Sequence, residues 1–231
     1  MLPPFLYTSL FLMRTVERVV LFASAVAVII LVVILMKPWS QSAQYTFEYL
    51  RGKAVEVAEA IEQKHSIRLT ESWLKEHVSL TLAIVKPKEE PLTLSLEYDR
   101  LKIQVPIHAK EVEVIKGSPP DRRFEHFRRA SVYHEGSWII VDPKPIVNYY
   151  VVMEYGRVVH VVEMTLFVIK GKLEPSVTLS YANSTKVVYL RSYDYAGIAS
   201  ITIDGEVVVR FQVKPQDLLK LIVIHEYWST R

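Results

Sequence analysis

The chain predicts an α+β fold, in which an N-terminal transmembrane helix and an amphipathic helix precede a mainly antiparallel, β-sandwich-like head. Three observations carry this expectation. The run Val19–Met36 (VVLFASAVAVIILVVILM) holds no charge, the apolar residues between Tyr45 and Lys64 recur at helical spacing, and beyond Trp73 the period changes to two in segments rich in Val, Ile, Thr and Tyr. The domain boundaries follow: 1–43 for the N-terminal segment and its apolar helix, 44–75 for the amphipathic helix and connector, 76–231 for the β-rich head.

Taken as a helix, Val19–Met36 is about 27 Å long, close to the hydrocarbon thickness of a bilayer. Arg14, Glu17 and Arg18 close it off on one side and Lys37 on the other. Two arginines before the run and one lysine after it place the N-terminal piece in the cytoplasm and the head outside, a single-pass membrane localisation. A cleaved signal and a buried core helix are the competing readings; Ser40-Gln41-Ser42 is a passable small-x-small cleavage site behind Lys37 and Pro38. Leu2–Met13 is apolar but too short, and broken by Pro3 and Pro4, to cross as a helix. Met13 opens a compact signal-anchor pattern, so the residues before it read as an upstream start or a short interfacial hook.

Composition bounds the head. Residues 1–43 carry Arg14, Arg18, Lys37 and Glu17; with these set aside, the net charge of +3 falls close to neutrality. Neither a nucleic acid nor an acidic surface is called for as partner. The absence of cysteine excludes disulfides, thiolate metal sites and cysteine nucleophiles, and is the usage expected of a heat-exposed, thermophile protein.

From Tyr45 to about Lys64, Phe47, Leu50, Ala54, Val57, Ala58 and Ile61 form one apolar stripe, with Glu56, Glu59, Glu62 and Lys64 on other faces. Gly52 inside it and Pro38 before it predict a bend or break between the two helices. Alternation then predicts strands at Val78–Val85, Leu92–Tyr98, Leu101–Ile107 and Val112–Ile115, with a tight turn at Asp99-Arg100 and Pro106 at an edge or bulge. Pro91 marks Leu92–Tyr98 as an edge strand with Leu101–Ile107 as its mate. Ser118-Pro119-Pro120-Asp121 is a loop. Hairpins are expected around His134-Glu135-Gly136, at Gly156-Arg157 between Ile146–Tyr155 and Val158–Ile169, around Asn183-Ser184-Thr185, and at Asp204-Gly205. Leu218–Trp228 fits a helix or a strand, the strand being favoured.

The basic cap RTVER, the single apolar helix with its amphipathic continuation, and a β-rich head with stretches such as ASVYHEGSWIIVDPKPI resemble archaeal type IV pilin-like and archaellum-accessory membrane-anchored proteins. The resemblance is one of layout, and Arg14 is followed by Thr15 where those proteins carry a small residue at the peptidase site. It implies a non-enzymatic, membrane-anchored cell-surface assembly protein, whose partners are membrane lipid and other pilin-like subunits or surface proteins.

Motifs for chemistry are sparse. His65, His77, His108, His126, His134, His160 and His225 are scattered, and His134-Glu135 and His225-Glu226 begin the zinc-protease pattern without completing it. No GxSxG, P-loop or dinucleotide fingerprint occurs, so no cofactor, metal site, catalytic residue or small-molecule substrate is expected. Glu163, a carboxylate within VVEMTLFVI that would be a catalytic candidate if buried, alternates onto the face of Thr165, which reads as a solvated face or an edge. Two features stand out. Asp121–Arg129 (DRRFEHFRR) offers Arg122, Arg123, Arg128 and Arg129 as a docking patch for an anionic partner, or as a solvated turn anchored by Phe124 and Phe127. Asn183-Ser184-Thr185 is an N-glycosylation acceptor sequence on Asn183, or an ordinary turn. A tethered extracytoplasmic hydrolase or ligand-binding sensor is the alternative function, since catalytic groups on distant strands leave no local signature.

Overall fold

The computed structural model describes residues 4–87, 90–194 and 196–231, without the side chains of 4–19, 33–40 and 192–194. It divides into two units, Met1–Thr46 and Phe47–Arg231. A single helix, α1 (Pro4–Gln63), supplies the first unit and opens the second, so the expected break after Pro38 is absent.

The first unit corrects the membrane expectation. Among the described residues no helix is long and apolar enough to cross a membrane. The described side chains of the apolar run, Val20–Val32, are all exposed. Val19 and Val33–Met36 lie outside the described side chains. This finding contradicts the expected transmembrane helix, the single-pass localisation and the cytoplasmic and extracytoplasmic sides that follow from it.

The second unit is built from two five-stranded sheets. Its strands are β1 (Ile67–Leu69), β2 (Leu74–Val85), β3 (Leu92–Lys116), β4 (Ser131–Asp142), β5 (Ile146–Glu154), β6 (Arg157–Lys170), β7 (Val177–Asp194), β8 (Gly197–Ile203), β9 (Glu206–Val213) and β10 (Leu218–Thr230). One sheet runs β1-β7-β10-β6-β5 and the other β4-β3-β2-β8-β9. Leu80, Leu82, Ile84, Ile201 and Ile203 of the second sheet share a buried cluster with Val162, Met164, Leu166, Leu219, Leu221 and Val223 of the first. This is the apolar layer of a sandwich, made by alternating residues of each strand. The stripe Phe47, Leu50, Ala54, Val57, Ala58 and Ile61 joins Trp73, Leu101, Ile139, Leu179 and Trp228 in another cluster, so the last turns of α1 share a core with both sheets. The amphipathic helix stands as expected.

Several turn signals turn out to lie inside long strands. Asp99-Arg100 does not turn: β3 runs straight through, because the Asp99 carboxylate accepts the Ile169 N–H (2.6 Å) and faces His77 Nδ1 (2.6 Å), while Arg100 donates to Glu76 and to the Tyr133 hydroxyl (2.8 Å). Tertiary partners satisfy charges that would otherwise seek water at a turn. Leu92–Tyr98 and Leu101–Ile107 are thus one strand rather than mates; β2 pairs along Leu92–Lys102 and β4 along Leu101–Lys116. His134-Glu135-Gly136 and Asn183-Ser184-Thr185 likewise form no hairpin. Gly136 (φ +58°) and Asn183 (φ +45°) sit where β4 and β7 slip register against β3 and β10, and Pro106 falls in such a slip too. Gly136 and Asn183 each mark a bulge, in which a left-handed residue bends the strand without reversing it. Two of the expected hairpins form: one is closed by Tyr155-Gly156, one residue before the expected Gly156-Arg157, and the other by Asp204-Gly205, with all four residues at positive φ as a type I′ turn requires. The C-terminal segment is the strand β10, but it lies parallel to β6 and between β6 and β7, so the meander is not wholly antiparallel.

Candidate functional site: an open sheet edge

Strand β5 ends its sheet and pairs only with β6; among the described residues no strand takes up its outer margin. The start of that margin is occupied. Glu125 N–H donates to the Pro145 carbonyl (2.8 Å), Val147 N–H donates to the Glu125 carbonyl (2.8 Å), and the His126 ring meets the Val147 carbonyl (3.3 Å). Because alternate residues of a strand direct their backbone groups the same way, the outward N–H of Val147 means that Tyr149, Val151 and Met153 also present N–H and C=O outward. The hairpin agrees, since its two-residue turn is flanked by the pair Glu154–Arg157, which is of the inward, hydrogen-bonded set.

The side chains around this margin are apolar and uncovered. Val147 is buried in the sandwich layer, but Tyr149, Val151 and Met153, on the same face, are 37%, 51% and 67% exposed, and Tyr150 on the opposite face is 39% exposed. Tyr155 at the turn is fully exposed. From Asn148 to Met153 there is no charge and no proline. Natural edges are usually blunted by such residues, and this one is not. The strand is held firmly from within: the Tyr149 ring stacks on Phe211 (4.9 Å), its hydroxyl meets His160 Nδ1 (2.8 Å), and His160 Nε2 faces Asp217 (3.4 Å).

The polar cluster around Asp142 and Lys144 is closed. Asp142 is buried and accepts from Tyr98 (3.0 Å) and Tyr133 (3.3 Å); burial pushes its carboxyl above the usual range despite Lys144 and these donors. Burial and the neighbouring Asp142 push both tyrosine hydroxyls far up, so they stay protonated donors. Lys144, buried, donates to Ser118 Oγ (2.9 Å), to the Ser118 carbonyl (3.5 Å) and to the Pro119 carbonyl. Burial lowers its pKa, yet acceptors stand against its ammonium on three sides, the arrangement of a loop clamp rather than a free base beside a serine. A cavity of about 10 Å³ beside Lys144, Arg128 and Glu226 holds one water at most. Among the described residues no three His, Asp or Glu side chains are grouped so as to hold a metal.

The arginines of Asp121–Arg129 do not form one patch, and the segment is not helical. Arg122 faces Glu125 (3.7 Å), Arg123 faces Asp204 (3.4 Å), Arg128 turns inward to Glu226, and Arg129 lies exposed beside the small cavity. Phe124 is an anchor, as expected of it, whereas Phe127 is 72% exposed. Asn183 is exposed in its bulge, and Glu163 is half-exposed, accepting from Tyr150 (3.3 Å). The sequence reading passed over Tyr149, Tyr150, Val151, Met153 and Glu125; the signal available was the uncharged run NYYVVM, too apolar on both faces for a half-solvated strand. Comparison with family models, curated proteins and solved structures finds no match.

Proposed function

We propose that this chain is a non-catalytic protein–protein interaction module that takes up a partner strand along the outer edge of β5. The observation that carries the reading is the row of outward backbone groups at Tyr149, Val151 and Met153, flanked by exposed apolar side chains and begun at Val147 by the bridge from Glu125. Strand addition draws affinity from the backbone and selectivity from alternate side chains, and needs no catalytic motif. The assembly role implied by the pilin-like resemblance is retained in this coarser form, as contact with another protein.

The test places a photo-cross-linking residue at Tyr155, beyond the proposed ladder, in the full chain expressed in its source cells. The same chain carrying Val151→Pro is compared with it. Proline at position 151 removes an outward donor that no strand of this fold uses, so the fold is kept while partner pairing is lost. A discrete cross-linked species that disappears with Val151→Pro is expected. Its absence, or its persistence in the variant, sinks the reading.

A further inference from the structure

We infer that the occupant of this edge is a second copy of β5, docked antiparallel about a two-fold axis that passes between the two Val151 residues. The inference rests on the strand-addition reading above and names its partner. Three outward positions are open, Tyr149, Val151 and Met153; the next one back, Val147, is taken by Glu125, and the next one forward is Tyr155 of the turn. An antiparallel pair that uses all three on both copies has one register, with Val151 opposite Val151 and Tyr149 opposite Met153. A row of three symmetric about its middle member is self-complementary, as a two-fold contact requires.

The side chains fit this register. Tyr149 meets the Met153 of the second copy, a sulfur–aromatic pairing, and Val151 meets its own equivalent, a β-branched pair on a pleated surface. On the other face Tyr150 lies opposite Val152, and Asn148 opposite Glu154, whose carboxylate is already paired with Lys220 (2.9 Å). No like charges come face to face, which is the usual obstacle to a strand pairing with itself. The ladder ends where the Glu125 bridge of each copy begins, so growth stops at two and does not propagate into a fibre.

The experiment uses the absence of cysteine from the chain. In the full chain carrying Val151→Cys, the two thiols sit on a directly opposed, hydrogen-bonded pair, whose Cα separation of about 5.5 Å lies inside the range a disulfide spans. Mild oxidation is expected to give a covalent dimer with Val151→Cys and not with Lys186→Cys, an exposed position on β7. In sedimentation the unmodified chain should dimerise with concentration. Val151→Pro, which removes two donors per dimer, should raise the dissociation constant about thirtyfold with an unchanged far-UV spectrum. Failure of Val151→Cys to cross-link, or a dimer indifferent to Val151→Pro, overturns the two-fold pairing. If the Tyr155 cross-linker then captures a protein other than this chain in a Val151-dependent way, strand addition survives with a different partner. If it captures nothing, both readings fall.

Discussion

The Arg128 guanidinium holds both carboxylate oxygens of Glu226 in a fork, although the two residues are far apart in the chain and Glu226 belongs to β10, which with β6 forms the one parallel pair among the described strands. Glu226 is 3% exposed, and Lys64 Nζ (3.1 Å) and Trp228 Nε1 (3.2 Å) complete its surroundings. The end of α1, the arginine segment and β10 are thus joined at one carboxylate. Arg128→Ala leaves that charge buried with only its weaker partners and is expected to cost about 3 kcal/mol in urea unfolding. The double change Arg128→Met with Glu226→Leu should cost less than the single one, because no unpaired charge remains.

The acid limb of stability follows from the same carboxylate. Burial would raise the Glu226 pKa, but the hydrogen bonds from Arg128, Trp228 and Lys64 outweigh it and hold it below the usual range. Its stabilising contribution is therefore complete above an unfolded pKa of about 4.3 and is lost as the pH falls through the lower folded value. The stability difference between the unmodified chain and Glu226→Gln should be large at pH 7 and shrink in acid, as read from urea midpoints at a series of pH values.

Asp142 acts with the opposite sign. Its folded pKa is raised by burial, so its contribution favours folding most in acid and declines as the pH rises from its unfolded value of about 3.9 through the folded one. Asp142→Asn should flatten that part of the profile. An unchanged slope above pH 4 in the variant would contradict this assignment.

Ala54 and Ala58 are fully buried where the stripe of α1 meets the sheets. Leucine at either position overfills the contact and is expected to cost about 1–3 kcal/mol, whereas Glu59→Ala on the exposed face should change thermal unfolding little.

Two glycines separate conformational strain from crowding. Gly156 (φ +78°) has open space where a Cβ would go, so Gly156→Ala carries only the left-handed backbone cost of about 1–2 kcal/mol. Gly171 (φ +99°) would press a Cβ into the Thr230 hydroxyl, and Gly171→Ala should lower the melting temperature further.

Period and length made most of the second unit legible. The helical stripe from Phe47 to Ile61, the Tyr155-Gly156 and Asp204-Gly205 hairpins and the strand at Leu218–Trp228 all follow from local pattern. Asp99-Arg100, Gly136 and Asn183 misled because a turn and a bulge draw on the same residues. What decides between them is whether a partner strand continues on the far side, as β2, β3 and β10 do here. Adjacency in sequence also says nothing of Glu226, the distant carboxylate that takes Arg128 away from the other arginines. Nor could the open margin of β5 be read locally, since an edge is defined by the strand that is missing beside it. For the apolar run Val19–Met36, length and hydropathy predict a span, whereas among the described residues no helix is long and apolar enough to cross a membrane.

The position of β10 imposes an order of events on the chain. β6 and β7 follow one another across a short link, yet neither touches the other in the finished sheet, because β10 stands between them. Each must wait, with one margin unsatisfied, for a strand synthesised after both. The β5–β6 hairpin can close on the microsecond scale as soon as it emerges, about 1–10 μs for such a unit. The long-range pairing that completes its sheet is slower by the cost of closing the intervening loop. During synthesis, the nascent chain therefore presents the unclaimed flank of β6 to the cell, and this interval is when a chaperone has most to shield.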